Sequence, residues 1–382
     1  MKGKKIVSTL LVLLLLASLP VSAHAAVWDI GKGDITISAG SGGQTVTQGD
    51  GAAVEDSAPV ITGSSTDNTL TINAEKDQTA SVTLSGANID VSGKGKAAVS
   101  TTGEGNVSIE LDGENTLKSA TNHAGLEKNN GGSLTIADED KNGKLTAEGG
   151  IYGAGIGGGY EGEGSNIAIT GGEVEATGGI GGAGIGGGKN GAGSSIAITG
   201  GEVKATGGKY GAGVGGGLSG NGNHITITGG EVKATGGLNG AGIGGGLWGK
   251  GKDITISGDA QLKVQGGVGD YFDGPGAGIG DGGSRPKEST GGNPIPGTEV
   301  EPDTSGLTTN GSIEYYAPGA DMEKDKPEKT TVGTLPPQEK PVEPIEPAEP
   351  EQPEAERGMD APLYRVTDRD GRNIAYTAEQ RG

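Results

Sequence analysis

Carboxylates recur along this 382-residue chain at a fixed step, with Glu173, Glu202 and Glu231 standing 29 residues apart. Like charges stacked in one column of neighbouring strands repel, and a hard cation such as calcium relieves the repulsion through oxygen ligands. The parallel series Glu175, Lys204, Lys233 supplies nearby positive charge that achieves the same without a metal. A second acidic group, Asp270, Asp273 and Asp281, is the other calcium candidate, although the GGxGxD spacing of calcium-binding nonapeptide rolls is missing. Aromatic residues are placed as regularly. Tyr152 and Tyr210 precede, and Tyr160, Leu218, Leu247 and Trp248 follow, copies of a GAGIGGG motif. Strand alternation through that motif turns Gly155, Gly184, Gly213 and Gly242 outward, which gives a flat strip of bare backbone with aromatic rims. Such a strip suits an extended sugar polymer, with rings against sugar faces and backbone or Thr hydroxyls meeting sugar hydroxyls.

Catalysis asks for something less repetitive. Glycoside hydrolysis needs two placed carboxylates, and lyase chemistry needs a basic proton acceptor beside clustered Asp. Near-identical coils offer no unique place for either, and His123 and His224 are the histidines left once His24 is assigned to a leader. The expectation is a non-enzyme that requires no cofactor, with calcium the one metal to consider. Cysteine is absent, which removes disulfides, thiolate metal sites and cysteine nucleophiles. A formal net charge of −20 argues against nucleic acid as a partner.

The elements that must position these residues follow from the repeat. GAGIGGG starts at Gly153 and Gly182, GAGVGGG at Gly211, GAGIGGG again at Gly240, and GAGIGDGG at Gly276 after a 36-residue step with an insertion around Asp270-Tyr271-Phe272-Asp273. A fixed period of this size predicts a solenoid. Within a unit, Ile167-Ala168-Ile169-Thr170 and Glu173-Val174-Glu175-Ala176-Thr177 alternate with period two, and Ala154 with Ile156 supplies a third short strand. Ile167, Ile169, Val174 and Ala176 then face inward, and Ile167, Ile196, Ile225 and Ile254 form one stacked column at a spacing of about 4.8 Å. With one Phe, two Trp and eight Tyr, small aliphatic residues must make the core.

The flanks read differently. Lys2, Lys4 and Lys5, an apolar run from Ile6 to Leu19 and Ala23-His24-Ala25 describe a secretory signal peptide, residues 1–25, cleaved after Ala25. No second apolar run exists, so no membrane span is expected after cleavage. Residues 26–91 keep the alternation without the spacing and read as irregular first coils with an N-terminal cap. The regular helix is expected over 92–283. Residues 284–357 hold 13 of the 17 prolines and read as a disordered, acidic Pro/Glu linker. In 358–382, two alternating runs flank Asp370-Gly371, the signal of a β-hairpin or of a truncated domain.

Val82-Thr83-Leu84-Ser85-Gly86-Ala87-Asn88-Ile89, Ile109-Glu110-Leu111-Asp112-Gly113-Glu114-Asn115-Thr116-Leu117, His123-Ala124-Gly125-Leu126 and the GAGIGGG units together resemble a known family. It comprises secreted surface proteins of clostridia and related Gram-positive bacteria, described as β-helical carbohydrate-binding domain proteins. The resemblance covers about Thr69 to Gly283. It implies an all-β, right-handed parallel β-helix, polysaccharide binding and, in some members, bound calcium. Those properties pass to the fold, since no family binding residue maps onto a position here. The expected function is a secreted or cell-surface polysaccharide-binding protein. The competing expectation is a structural or adhesive repeat protein that self-associates or spaces other domains; a polysaccharide lyase or hydrolase stands behind both.

Overall fold

The computed structural model describes residues 25–286 and 293–335, together with the backbone of 366–367 and 373–374. The leader expected over residues 1–25 lies outside the described residues up to position 24, as do residues 287–292 and 336–357 of the expected linker. The chain divides into two units, Met1–Gln338 and Glu339–Gly382. In the second, Val366–Thr367 pairs antiparallel with Asn373–Ile374.

The first unit is a parallel β-solenoid whose coils take the 29-residue period of the sequence. Each regular coil contributes a strand to three sides. Gly164–Ile169, Gly193–Ile198, Gly222–Ile227 and Gly251–Ile256 pair in parallel on the first side. Glu173–Thr177, Glu202–Thr206, Glu231–Thr235 and Gln261–Gln265 pair on the second. The third side holds two-residue rungs: Ile156–Gly157, Ile185–Gly186, Val214–Gly215, Ile243–Gly244 and Ile279–Gly280. Register is strict because the side-chain period is two, so slipping one residue would turn every isoleucine outward. Ile167 stands opposite Ile196, then Ile225, then Ile254, and each is buried.

Winding starts at the first described strand, where Val27–Asp29 pairs in parallel with Val60–Ser65. Ile35, Leu70, Val99, Leu126 and Ile156 continue one inward column through the irregular coils. Gly43–Gln48 and Val54–Glu55 add antiparallel strands to the open edge of this third side, which removes a long free edge that would otherwise template aggregation.

The adjacent inward column runs Ile37, Ile72, Thr101, Lys128. Lys128 is 5% exposed and donates to the carbonyl oxygen of Asn130 at 2.7 Å. Burial disfavours the ammonium and lowers its pKa to about 8. In the unfolded chain the group titrates at about 10.4, so between about pH 8 and 10 the unfolded state binds more protons and folding stability rises with pH. Lys128→Met is therefore expected to stabilise the protein at pH 7 by about 1–3 kcal/mol. That gain should shrink as pH climbs through the window, and thermal midpoints of both proteins at pH 7 and pH 10 test it.

At the carboxy-terminal end the chain does not become a free linker, which corrects the expectation for residues 293–335. Glu299 bridges Gly280, Asp303 bridges Thr255, and Leu307 bridges Gly258, so the segment crosses the last coil. Ser312–Tyr316 then pairs in parallel with Gln261–Gln265, and Lys329–Val332 closes the edge antiparallel. Leu307, Ile313, Tyr316 and Met322 are buried by this cap. The high Pro and acidic content describes the segment's average, whereas these four apolar side chains decide where it lies.

Candidate functional site

The third side does not present a flat strip. The chain pinches there, because Ala154 N donates to Gly158 O at 3.0 Å and the bond repeats from Ala183 to Gly187, Ala212 to Gly216 and Ala241 to Gly245. Gly157, Gly186, Gly215 and Gly244 take φ of 132–134° to make the bend, a region L side chains rarely adopt. Gly155, Gly184, Gly213 and Gly242 are buried. A Cβ on Gly155 would sit 2.6 Å from Thr177 N and 2.7 Å from Gly184 O. The exposed glycine strip expected from alternation is thereby corrected: alternation holds for an extended strand, and the pinch ends the strand after two residues.

The segments on either side of each pinch form lobes, and the lobes meet. Lys189 N donates to Tyr152 O, Leu218 N to Gly181 O and Leu247 N to Tyr210 O, each at 2.8 Å, tying the leading lobe of one coil to the trailing lobe of the next. The aromatic residues expected on two rims therefore converge on one seam. The rings of Tyr152 and Tyr160 have centroids 5.6 Å apart, with Lys189 Nζ 4.6 Å from the first and 5.6 Å from the second. Two coils on, Lys209 Nζ lies 4.9 Å from the Tyr210 ring.

The seam ends on a larger platform. Glu161, Asn190, Ser219 and Trp248 are equivalent residues, all with φ between 59° and 66°. A bulky ring at such a φ is strained and persists only where its surroundings over-determine it. For Trp248 they do. Its Nε1 donates to Asp273 Oδ1 at 3.0 Å, Asp273 is 3% exposed, and Arg285 Nη2 donates to Asp273 Oδ2 at 2.9 Å. The Arg285 guanidinium lies 5.8 Å from the Trp248 ring and 5.5 Å from that of Phe272, within the range of a cation–π contact. Tyr271 stands edge-on to Phe272 at 5.1 Å. Trp248, Tyr271 and Phe272 are 49%, 87% and 61% exposed.

The insertion that carries these rings is held from below. Asp270 Oδ1 accepts from Phe272 N and Asp273 N at 2.9 and 2.8 Å, and the bond from Asp273 N leads in holding its carboxyl below the usual range. Asn239 Nδ2 donates to Asp273 O and Gly274 O at 2.9 and 3.0 Å. Sequence reasoning noticed the insertion but left Tyr271, Phe272 and Arg285 out of the site; the signal was the 36-residue step itself.

The acidic candidates are not gathered. Asp270, Asp273 and Asp281 have separate partners, those of Asp281 being Lys250 Nζ at 2.8 Å and Gly251 N at 3.0 Å. Glu173, Glu202 and Glu231 do form one outward column, and Lys144 pairs with Glu173 above it. Lys204 pairs with Glu175 at 3.1 Å. Among the described residues, three carboxylates come within ligand spacing at Glu110, Asp138 and Asp140, inside 4.8 Å of one another. Of the histidines, His123 Nδ1 lies 2.9 Å from Glu127 Oε2, a carboxylate that also accepts from Ala124 N and Asn129 Nδ2. His224 sits 3.4 Å from Asp253, beside an open groove of about 480 Å³ that Thr226, Thr255, Glu301 and Asp303 also line.

Residues 141–160, 167–189, 196–218 and 225–247 match the family model described as a beta helix repeat. The chain carries β-helix repeats. No curated protein and no solved structure matches it. The fourth matched β-helix repeat ends at Leu247, so Tyr152, Tyr160 and Tyr210 lie within repeats while Trp248, Tyr271, Phe272 and Arg285 lie beyond them. The repeats build the seam, and the residues that follow them give one end of it an individual chemistry.

Proposed function

We propose that the protein is a non-catalytic polysaccharide-binding protein that receives an extended sugar chain along the seam and anchors it on the Trp248, Tyr271 and Phe272 platform. The observation that carries this reading is Trp248: a half-exposed indole kept at φ +66° by a buried carboxylate. Pre-ordered aromatic faces stack on the apolar faces of sugar rings at little entropic cost. Tyr210 and the Tyr152–Tyr160 pair add rings on the same seam, spread over about four coils, on the order of 20 Å. The amino-terminal leader expected from Lys2 to Ala25 supports a site of action outside the cell.

Affinity electrophoresis of the mature protein in gels containing soluble polysaccharides tests the proposal. The triple variant Trp248→Ala, Tyr271→Ala, Phe272→Ala should lose retardation, corresponding to roughly 30-fold or weaker binding. Equal retardation of the variant and the parent in every retarding glycan would remove the proposal.

A structural or adhesive role is the second reading, favoured by Ile151, Ile180 and Val268, which are 43–51% exposed on the same lobes. Sedimentation without sugar separates the two: concentration-dependent assembly that Ile151→Ser, Ile180→Ser and Val268→Ser together abolish belongs to the adhesive reading.

A further inference from the structure

The first coil holds a buried carboxylate with no counter-charge among the described residues. Asp56 is 2% exposed, and its oxygens accept from Trp28 Nε1 at 2.8 Å, Ala58 N at 3.1 Å and Ala26 N at 3.2 Å. All three donors are neutral. The ion pairs of the N-terminal coils among the described residues, Lys32–Asp29, Lys94–Asp67 and Lys96–Asp34, leave Asp56 out. The carboxylate is also fixed in place, because Asp56 N donates to Gln44 O and Gln44 Nε2 donates to Asp56 O. A buried charge without a partner is strongly destabilising.

Ala26 is the residue that follows the cleavage expected after Ala25. Its own carbonyl accepts from Val60 N at 2.9 Å, which locks residue 26 onto the solenoid. We propose that leader removal completes this site: hydrolysis of the Ala25–Ala26 peptide bond turns the amide nitrogen into an α-ammonium, and that new charge pairs with Asp56. Water supplies the second oxygen of the departing Ala25 carboxylate and the two protons that turn the amide nitrogen into an ammonium, so no other reactant is needed. A peptide N–H offers one hydrogen bond, whereas the ammonium offers three and a full positive charge, and charge-assisted bonds of this kind are the stronger ones. The precursor thus carries an uncompensated carboxylate that the mature chain neutralises, which makes the first coil a sensor of its own processing.

Four proteins test this: chains beginning at Ala26, or with Gly-Ser-Ala25 ahead of it, each with Asp56 or Asp56→Asn. The chain beginning at Ala26 should melt about 2–4 °C above its extended counterpart, and in the Asp56→Asn background the two should melt together. Equal midpoints in the Asp56 background, or a gap that survives Asp56→Asn, would overturn the inference. Should Asp56→Asn fail to fold, acylation of the α-amine at neutral pH reads the same contact, detected by peptide mass. On the order of tenfold slower acylation in the folded chain than in a free peptide of residues 26–35 is expected, and equal rates would overturn it. So would a secreted chain whose measured mass places its first residue elsewhere than Ala26.

Discussion

A chain ending at Gly283 is expected to form soluble aggregates and to lose its cooperative thermal transition in the range of the parent protein. The truncation bares the free edges of Gly251–Ile256 and Gln261–Gln265, which residues 293–335 pair with or bridge. It also removes Leu307, Ile313, Tyr316 and Met322, all buried. Four such side chains at about 1.5–3 kcal/mol each amount to roughly 6–12 kcal/mol of apolar burial, comparable to the whole stability of an ordinary domain. Parallel edges with stacked isoleucines are also templates for further strands. Size-exclusion chromatography and calorimetry of the truncated chain, beside one ending at Gln338, check this. A monomer with an unchanged midpoint after truncation at Gly283 would show that the cap is dispensable.

Gly208→Val is expected to unfold the regular coils, at a cost above about 4 kcal/mol. A Cβ on Gly208 would overlap the carbonyl oxygen of Gly179 in the preceding coil, and Gly237 stands in the same relation to Gly208. These contacts are backbone on backbone, so no rotamer change relieves them. The neighbouring coils hold each other in register, so one displaced lobe disturbs the hydrogen bonds on both sides of it. Gly42→Ala is the control: nothing lies within 4 Å of its Cβ position, and its midpoint should stay within the equivalent of about 0.5 kcal/mol. Urea titrations of the two variants check both expectations.

The solenoid was legible in the sequence because its period and its alternation agree. Ile167, Ile196, Ile225 and Ile254 form a column by spacing alone, and the pairing places them as one. What escaped were features set by backbone torsion and by distant partners. Gly155 looks outward by alternation, yet a hydrogen bond from Ala154 to Gly158 bends the chain and buries it. Trp248 aligns with Glu161, Asn190 and Ser219, and nothing in that alignment states that the position is left-handed. Tyr271 and Phe272 become a surface only when Asp273 is turned inward, and that depends on Trp248, 25 residues before it, and Arg285, 12 after. The cap was hidden by composition, since prolines and acids outnumber the few apolar residues that anchor it.

The interface between any two regular coils repeats the one before it, since Ile167 meets Ile196 as Ile196 meets Ile225, and Val174 meets Val203 as Val203 meets Val232. A gene that duplicates or excises one such unit joins ends that already fit. Length can therefore drift between lineages in whole steps while the two unlike end coils stay fixed, and the distance between first coil and platform becomes a heritable quantity counted in coils.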